Sequence, residues 1–182
     1  IGDFAFSGCK SLKKFKFPKK LVVIGDYAFN DSGLSGKITL PKKCYYIAEG
    51  AFGGCKNITN VCLKGKNIEV YHFAFEGCKK LNSVIGSENI IKYGGRVFAY
   101  CTLFKNFTVS KKLKYLNAET FVRCDNMKTI KILTTKTKTI IGKRVFRGLP
   151  KKCKVYVKTY KMKKAVKNSG FKGTVIVKKN LK

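Results

Sequence analysis

Three acids and the only histidine of the chain recur at a fixed interval: Asp3, Asp26, Glu49 and His72 stand 23 residues apart. Carboxylates stacked beside an imidazole are groups with which a protein binds a divalent cation or moves a proton. Asp26, Glu49 and His72 are therefore candidate metal or acid–base residues. A plainer reading competes and is the stronger: an Asp that follows Gly and precedes an apolar turn caps that turn, with lysines near enough to neutralise it. The ladder then runs on as Gly95, Ala118 and Lys143. Nothing else resembles catalysis, since there is no Ser/His/Asp set and no phosphate-cradling glycine loop. The chain is read as non-enzymatic, with no cofactor and no metal.

Cysteine supplies a second ladder. Cys9, Cys55, Cys78, Cys101 and Cys124 share one repeat position, with Ser32 standing in for the second, while Cys44, Cys62 and Cys153 lie elsewhere. No pair has the C-x-x-C spacing of a zinc or redox motif, and no His accompanies them. They read as a column of buried thiols acting as small hydrophobes. Neighbouring rungs approach disulfide range, but parallel Cβ vectors in a stack oppose a repeated bridge.

The third chemistry is positive charge. Forty Lys plus Arg oppose nine Asp plus Glu in 182 residues, a formal charge of +31, and only Arg96, Arg123, Arg144 and Arg147 are arginines. An apolar share of 45 % argues against disorder despite that charge. The apolar runs are too short to span a bilayer. Lys19, Lys20, Lys42, Lys43, Lys66, Lys111 and Lys112 recur at related positions. Adjacent lysines about 5 Å apart repel by roughly 0.8 kcal/mol in water, a strain that an anionic partner relieves. The expected partner is thus a protein or an anionic glycan or wall polymer. Scarcity of Arg counts against nucleic acid, whose base edges are read best by guanidinium.

The elements that position these residues follow from a ruler of phenylalanines. Phe6, Phe29, Phe52, Phe75, Phe98, Phe121 and Phe146 are separated by 23, 23, 23, 23, 23 and 25 residues. Apolar pairs two apart follow most of them: Phe15/Phe17, Ile38/Leu40, Val61/Leu63, Phe107/Val109 and Ile130/Ile132, with Val84/Gly86 a weaker match. Period-two spacing inside a 23-residue period predicts one short strand per turn, facing a shared core. Pro18 and Pro41 end their strands. A single unit cannot bury its apolar face, so the turns must stack as a solenoid.

The segment from Leu12 to Leu21 follows the pattern L-x-x-L-x-L up to its polar position, where Cys44 and Asn67 stand in the next two units. Together with Ile1-Gly2-Asp3-Phe4-Ala5-Phe6-Ser7-Gly8-Cys9 and Ile24-Gly25-Asp26-Tyr27-Ala28-Phe29, this resembles the BspA-like subclass of leucine-rich repeats. The resemblance fades from the fourth unit, where Val70-Tyr71 replaces Ile-Gly. It implies a leucine-rich-repeat solenoid of seven turns over residues 1–150, each with one short strand and a short helical or irregular return.

Residues 151–182 differ in kind and read as a strand–helix–strand cap. Thr159 is the expected N-cap, Met162, Ala165, Val166 and Ser169 form one helical face, and Gly170 stops the helix. Because residue 1 falls inside a repeat, the chain reads as a piece of a longer protein that carries the targeting signal. The resemblance implies a secreted or surface-displayed binding or adhesion module, with a structural spacer as the alternative. Its strand face is the usual recognition surface of such repeats. The contact residues expected there are Lys16, Thr39, Cys62, Ile85, Thr108 and Lys131, with neighbours Asn60, Asn82 and Asn106.

Overall fold

The ruler phenylalanines form one continuous stack. In a computed structural model, which describes residues 1–139 and 144–182, successive ring centroids from Phe6 to Phe146 lie 5.1, 5.3, 5.2, 5.7, 6.0 and 6.3 Å apart. All are within 13° of parallel. From Phe29 onward the rings are fully buried. Such offset stacks add to the burial of each ring. Phe15 meets Phe29 edge-on and Phe107 meets Phe121 at a similar steep angle, so the apolar-pair residues pack against the column.

Four carbonyls of this column are shared. The Phe52 oxygen accepts the Cys55 amide at 3.2 Å within its own turn and the Cys78 thiol at 3.2 Å from the next. The Phe29, Phe75 and Phe98 oxygens do the same, accepting the thiols of Cys55, Cys101 and Cys124 at 3.0–3.2 Å. Cysteine suits this position because its S–H is small, largely apolar and still a weak donor.

Most central turns carry two strands, where one was expected. The shorter set is β1 (Val23–Ile24), β3 (Tyr46–Ile47), β5 (Ile68–Val70), β7 (Ile90–Tyr93) and β9 (Tyr115–Leu116), paired in that order in one parallel sheet. The longer set begins with β2 (Ser35–Leu40), β4 (Asn57–Leu63) and β6 (Ser83–Ile85). A second sheet continues the longer face with β8 (Asn106–Val109), β10 (Thr129–Ile132), β11 (Lys154–Val157) and β12 (Thr174–Val177), again all parallel. The face is broken between β6 and β8, at the unit with the weak Val84/Gly86 match. Gly86 ends β6 with φ +83, and its Cα lies against the Leu63 carbonyl, where a side chain has no room.

The expected strand at Phe15–Phe17 is absent. Residues 12–18 form no ladder, and Phe15 and Phe17 are only partly buried. Within residues 12–18 the backbone bond to the next turn is at Lys13, whose carbonyl accepts the Ser35 amide at 3.0 Å.

The third side of each turn is built from left-handed residues. Phe4, Tyr27, Gly50, Phe73, Arg96, Glu119 and Arg144, each two before a ruler phenylalanine, all have φ between 51 and 75°. So do Gly8, Asp31, Gly54, Gly77, Tyr100, Arg123 and Gly148, each two after one. Non-glycine residues hold this conformation at a penalty of roughly 1–2 kcal/mol. Backbone bonds between turns offset it. The amides of Tyr27, Phe29 and Asp31 donate to the carbonyls of Glu49, Ala51 and Gly53 at 2.7–2.8 Å, and the pattern repeats in later turns.

At the C-terminal end, α1 (Tyr160–Asn168) lies between β11 and β12. The Thr159 hydroxyl caps it by accepting the Met162 amide at 3.1 Å, Met162 and Val166 are fully buried, and Gly170 ends it at φ +89. Because the phenylalanine stack is continuous, truncating one interior ring leaves a cavity between two turns. Phe75→Ala is expected to lower stability by about 3–5 kcal/mol in urea denaturation. The same change at Phe6, whose ring is partly exposed, should lower it far less.

Candidate functional site

The acidic ladder is a set of turn caps. Asp3 Oδ1 accepts the Asp26 amide at 2.8 Å, Asp26 Oδ1 accepts the Glu49 amide at 3.0 Å, and His72 Nδ1 accepts the Gly95 amide at 2.9 Å. Each side chain thus satisfies the backbone of the equivalent residue one turn on. Glu49 instead accepts the Tyr27 hydroxyl at 2.7 Å, which with burial holds the Tyr27 phenol above its ordinary value. Among the described residues no group of three His, Cys, Asp or Glu is placed to hold a metal ion. Lys143, which extends the acidic ladder, lies outside the described residues.

The strand-face residues fall into register in two blocks. Thr39, Cys62 and Ile85 are cross-strand partners, and Thr108 and Lys131 are partners in the second block. Lys16 sits in the strandless first turn and extends no ladder. Tyr156 and Ile176 continue the second block beyond Lys131, which the sequence reading missed although Val155 and Val157 already carried the period-two signal. Asn60 donates its amide to Ser83 Oγ at 2.7 Å, and Asn106 accepts the Thr129 hydroxyl at 2.7 Å, so both tie turns together. Asn82 lies one residue outside that column, where Ser83 takes the position.

Apart from the half-buried Lys158, the lysines after the long strands are exposed, and they line grooves that share members. One groove of about 520 Å³ is bordered by Lys42, Lys43, Lys64 and Lys66. The next, about 500 Å³, runs from Lys66 past Lys111 and Lys112 to Lys158. A third, about 850 Å³, passes from Lys111 and Lys112 to Lys136, Lys138 and Lys161. With turns stacked at ~4.8 Å, the five steps from β2 to β11 make a trench roughly 24 Å long. Glu88 is the only acidic side chain among the described residues on its walls. Lys19 and Lys20 are exposed on the first turn but line none of these grooves. Lys64, Lys158 and Lys161 join the wall unanticipated, the last two because the solenoid's edge runs on into the C-terminal segment.

Charge is sorted around the cross-section. All four arginines, and every acid except Glu69 and Glu88, stand within four residues of a ruler phenylalanine, on the left-handed side. There Arg96 pairs with Glu76 and lies over the Phe73 and Tyr100 rings at 5.6 Å each, while Arg123 pairs with Asp125 and Arg147 with Glu119. Burial raises the Glu76 carboxyl above its ordinary range and Arg96 pulls it back. Lys42, Lys43, Lys66, Lys111 and Lys112 take part in no ion pair of this kind.

A 23-residue unit with parallel strands, a cysteine hydrogen-bonded to the preceding turn and an aromatic stack defines a leucine-rich-repeat solenoid. The chain belongs to the BspA type leucine-rich repeat region family, which matches it in six copies over residues 1–67 and 32–152. No curated protein matches it in sequence. Among solved structures it is similar to the pneumococcal vaccine antigen PcpA, with TM-score 0.77 and 21 % identity over 90 % of this chain and 41 % of that one. It is also similar to a leucine-rich repeat protein from Bacteroides ovatus, with TM-score 0.60 and 23 % identity over 86 % of this chain and 46 % of that one. The T. pallidum leucine-rich repeat protein TpLRR gives TM-score 0.60 and 18 % identity over 98 % and 79 %. At these identities the likeness is one of fold, and the chain spans less than half the length of the first two.

The six buried thiols are chemically quiet in this setting, while Cys9 is exposed and so lies outside the expected buried column. Burial raises Cys44, Cys55 and Cys153 from an ordinary 9.0 to about 11, and it also raises Cys78, Cys101 and Cys124. A folded-state value above the unfolded one stabilises fully below the unfolded value and loses that contribution as pH climbs to the folded one. Stability should therefore decline from about pH 9 towards pH 11, as unfolded thiols ionise while Cys55 stays protonated. Urea midpoints measured across that range should fall less steeply in Cys55→Ala than in the unaltered chain.

Proposed function

We propose that the chain is a non-enzymatic binding module of a secreted or surface-displayed protein, and that its lysine trench engages an extended anionic polymer. One observation carries this reading: the lysine side chains along the trench face a single acidic side chain, while Asp3, Asp26, Glu76, Glu119 and Asp125 serve on the left-handed side as caps and arginine partners. A surface of one sign attracts a partner of the other and speeds its capture. The broken strand face and the C-terminal segment, residues 151–182, frame the trench, the latter closing the solenoid's end. The likeness of fold to the pneumococcal vaccine antigen PcpA supports display outside the cell.

A second reading rests on Ile85, which is 53 % exposed in an otherwise mostly polar column and offers an apolar contact to a protein ligand. The two are separated by salt. Retention of the unaltered chain on an immobilised long polyanion should fall steeply as salt rises, each neutralising lysine adding roughly 0.7–0.9 to the slope of log K against log salt. Lys43→Glu, Lys66→Glu and Lys111→Glu together should abolish retention without changing the unfolding free energy from urea denaturation by more than ~1 kcal/mol, because exposed charges contribute little to stability. Salt-insensitive binding lost in Ile85→Asp would instead favour the protein ligand. No binding in either arm would leave a spacer.

A further inference from the structure

The trench is not uniform along its length. Where the fourth turn should present a lysine pair, the short 3-10 turn Ser87–Asn89 stands instead, at the same turn where the long-strand sheet is broken. Lys66 flanks this gap on one side, and Lys111 and Lys112 on the other. The floor beneath is apolar. Ile91 and Leu181 are buried, 6 % and 7 % exposed, and Leu133 is partly covered. The far wall is the C-terminal segment, held down by a bond from Lys131 Nζ to the Lys182 carbonyl at 3.2 Å, and Lys158 points in from the end of β11. The buried Ser110 holds the Lys111–Lys112 corner by accepting the Lys112 amide at 3.0 Å.

We propose that this groove is a discrete subsite for a ligand that carries at least two oxyanion groups on a short carbon scaffold. Its volume of about 500 Å³ falls within the range of small-ligand sites. Lys66 at one end and Lys111, Lys112 and Lys158 at the other hold the charged groups, and Ile91, Leu133 and Leu181 take the carbon chain between them. Glu88, on the wall, opposes the ligand and sets an upper bound on affinity. A bare inorganic anion satisfies the lysines but leaves the apolar floor wet, so the scaffold is part of what is recognised. This inference rests on the trench reading, and it adds a defined ligand class at a defined place.

The test is isothermal titration of the full chain with three probes at low and physiological salt: a glycerol-phosphate trimer, a sulfated disaccharide and inorganic tripolyphosphate. One saturable site for either carbon-based probe is expected, and which of them binds identifies whether the oxyanion is a phosphodiester or a sulfate. Lys111→Ala with Lys158→Ala should weaken that site by about tenfold or more, since a charge-assisted hydrogen bond is worth about 1.5–3 kcal/mol. Lys112→Ala serves in place of Lys158→Ala if the double variant has an altered circular dichroism spectrum. Lys19→Ala with Lys20→Ala, which line none of the grooves, should change affinity less than about twofold, and Glu88→Gln should tighten it. Silence of both carbon-based probes overturns the proposal, as does equal loss in the two lysine pairs. If the unaltered chain still binds a long polyanion in those cases, only the subsite falls; if it does not, the trench reading falls with it.

Discussion

The phenylalanine stack is the constraint from which the remaining structure follows. A ring that must lie 5–6 Å from its equivalent in the next turn forces every other position to repeat at that interval. The shared carbonyl reinforces the register, because the oxygen that closes one turn also receives the thiol of the next. Slipping a turn by one residue would separate ring from ring and thiol from carbonyl together. The last interval of 25 residues is accommodated with the Phe121 and Phe146 rings still within 6° of parallel, so the extra length is absorbed elsewhere in that turn.

Fixed register turns composition into surface. On the left-handed side, backbone amides of each turn need acceptors, and Asp3, Asp26 and His72 supply them. Acids and arginines there have structural work, in caps and in the Glu76–Arg96 and Glu119–Arg147 pairs. The edge after the long strands makes no such demand. Among the described residues Glu88 is the one acidic side chain that lines the grooves there, against a row of lysines. Of the net charge of +31, the left-handed side is nearly balanced, and the excess lies on the trench edge, the outer strand face and the C-terminal segment.

The ruler and the apolar pairs made the solenoid legible, because a side chain that must repeat for packing leaves its period in the sequence. Thr159 and Gly170 marked the helix ends for equally local reasons. The second strand set was not legible: Val23–Ile24 and Tyr46–Ile47 are two residues long, too short to display an alternation. The left-handed columns were hidden for a different reason. Tyr27, Phe73 and Arg96 occupy a conformation that favours glycine, and only the hydrogen bonds to the next turn hold them there. The trench was legible in its lysine pairs and not in its course, since Lys66 and Lys158 meet one groove across 92 residues of chain.

A trench of lysines with so little arginine has a consequence for what kind of selectivity is possible. An ammonium on a four-carbon stem is a mobile point charge, whereas a guanidinium holds a planar fork that matches one oxyanion geometry. Lysines spaced by the turn repeat therefore recognise charge density along a chain more readily than the shape of any one unit, and their affinity is tied to ionic strength. Shape enters only where something rigid and apolar lies beneath the charges. Along this edge that combination occurs where the lysine ladder is interrupted, above Ile91, Leu133 and Leu181. The interruption of the repeat, more than the repeat itself, is where discrimination between anionic ligands can arise.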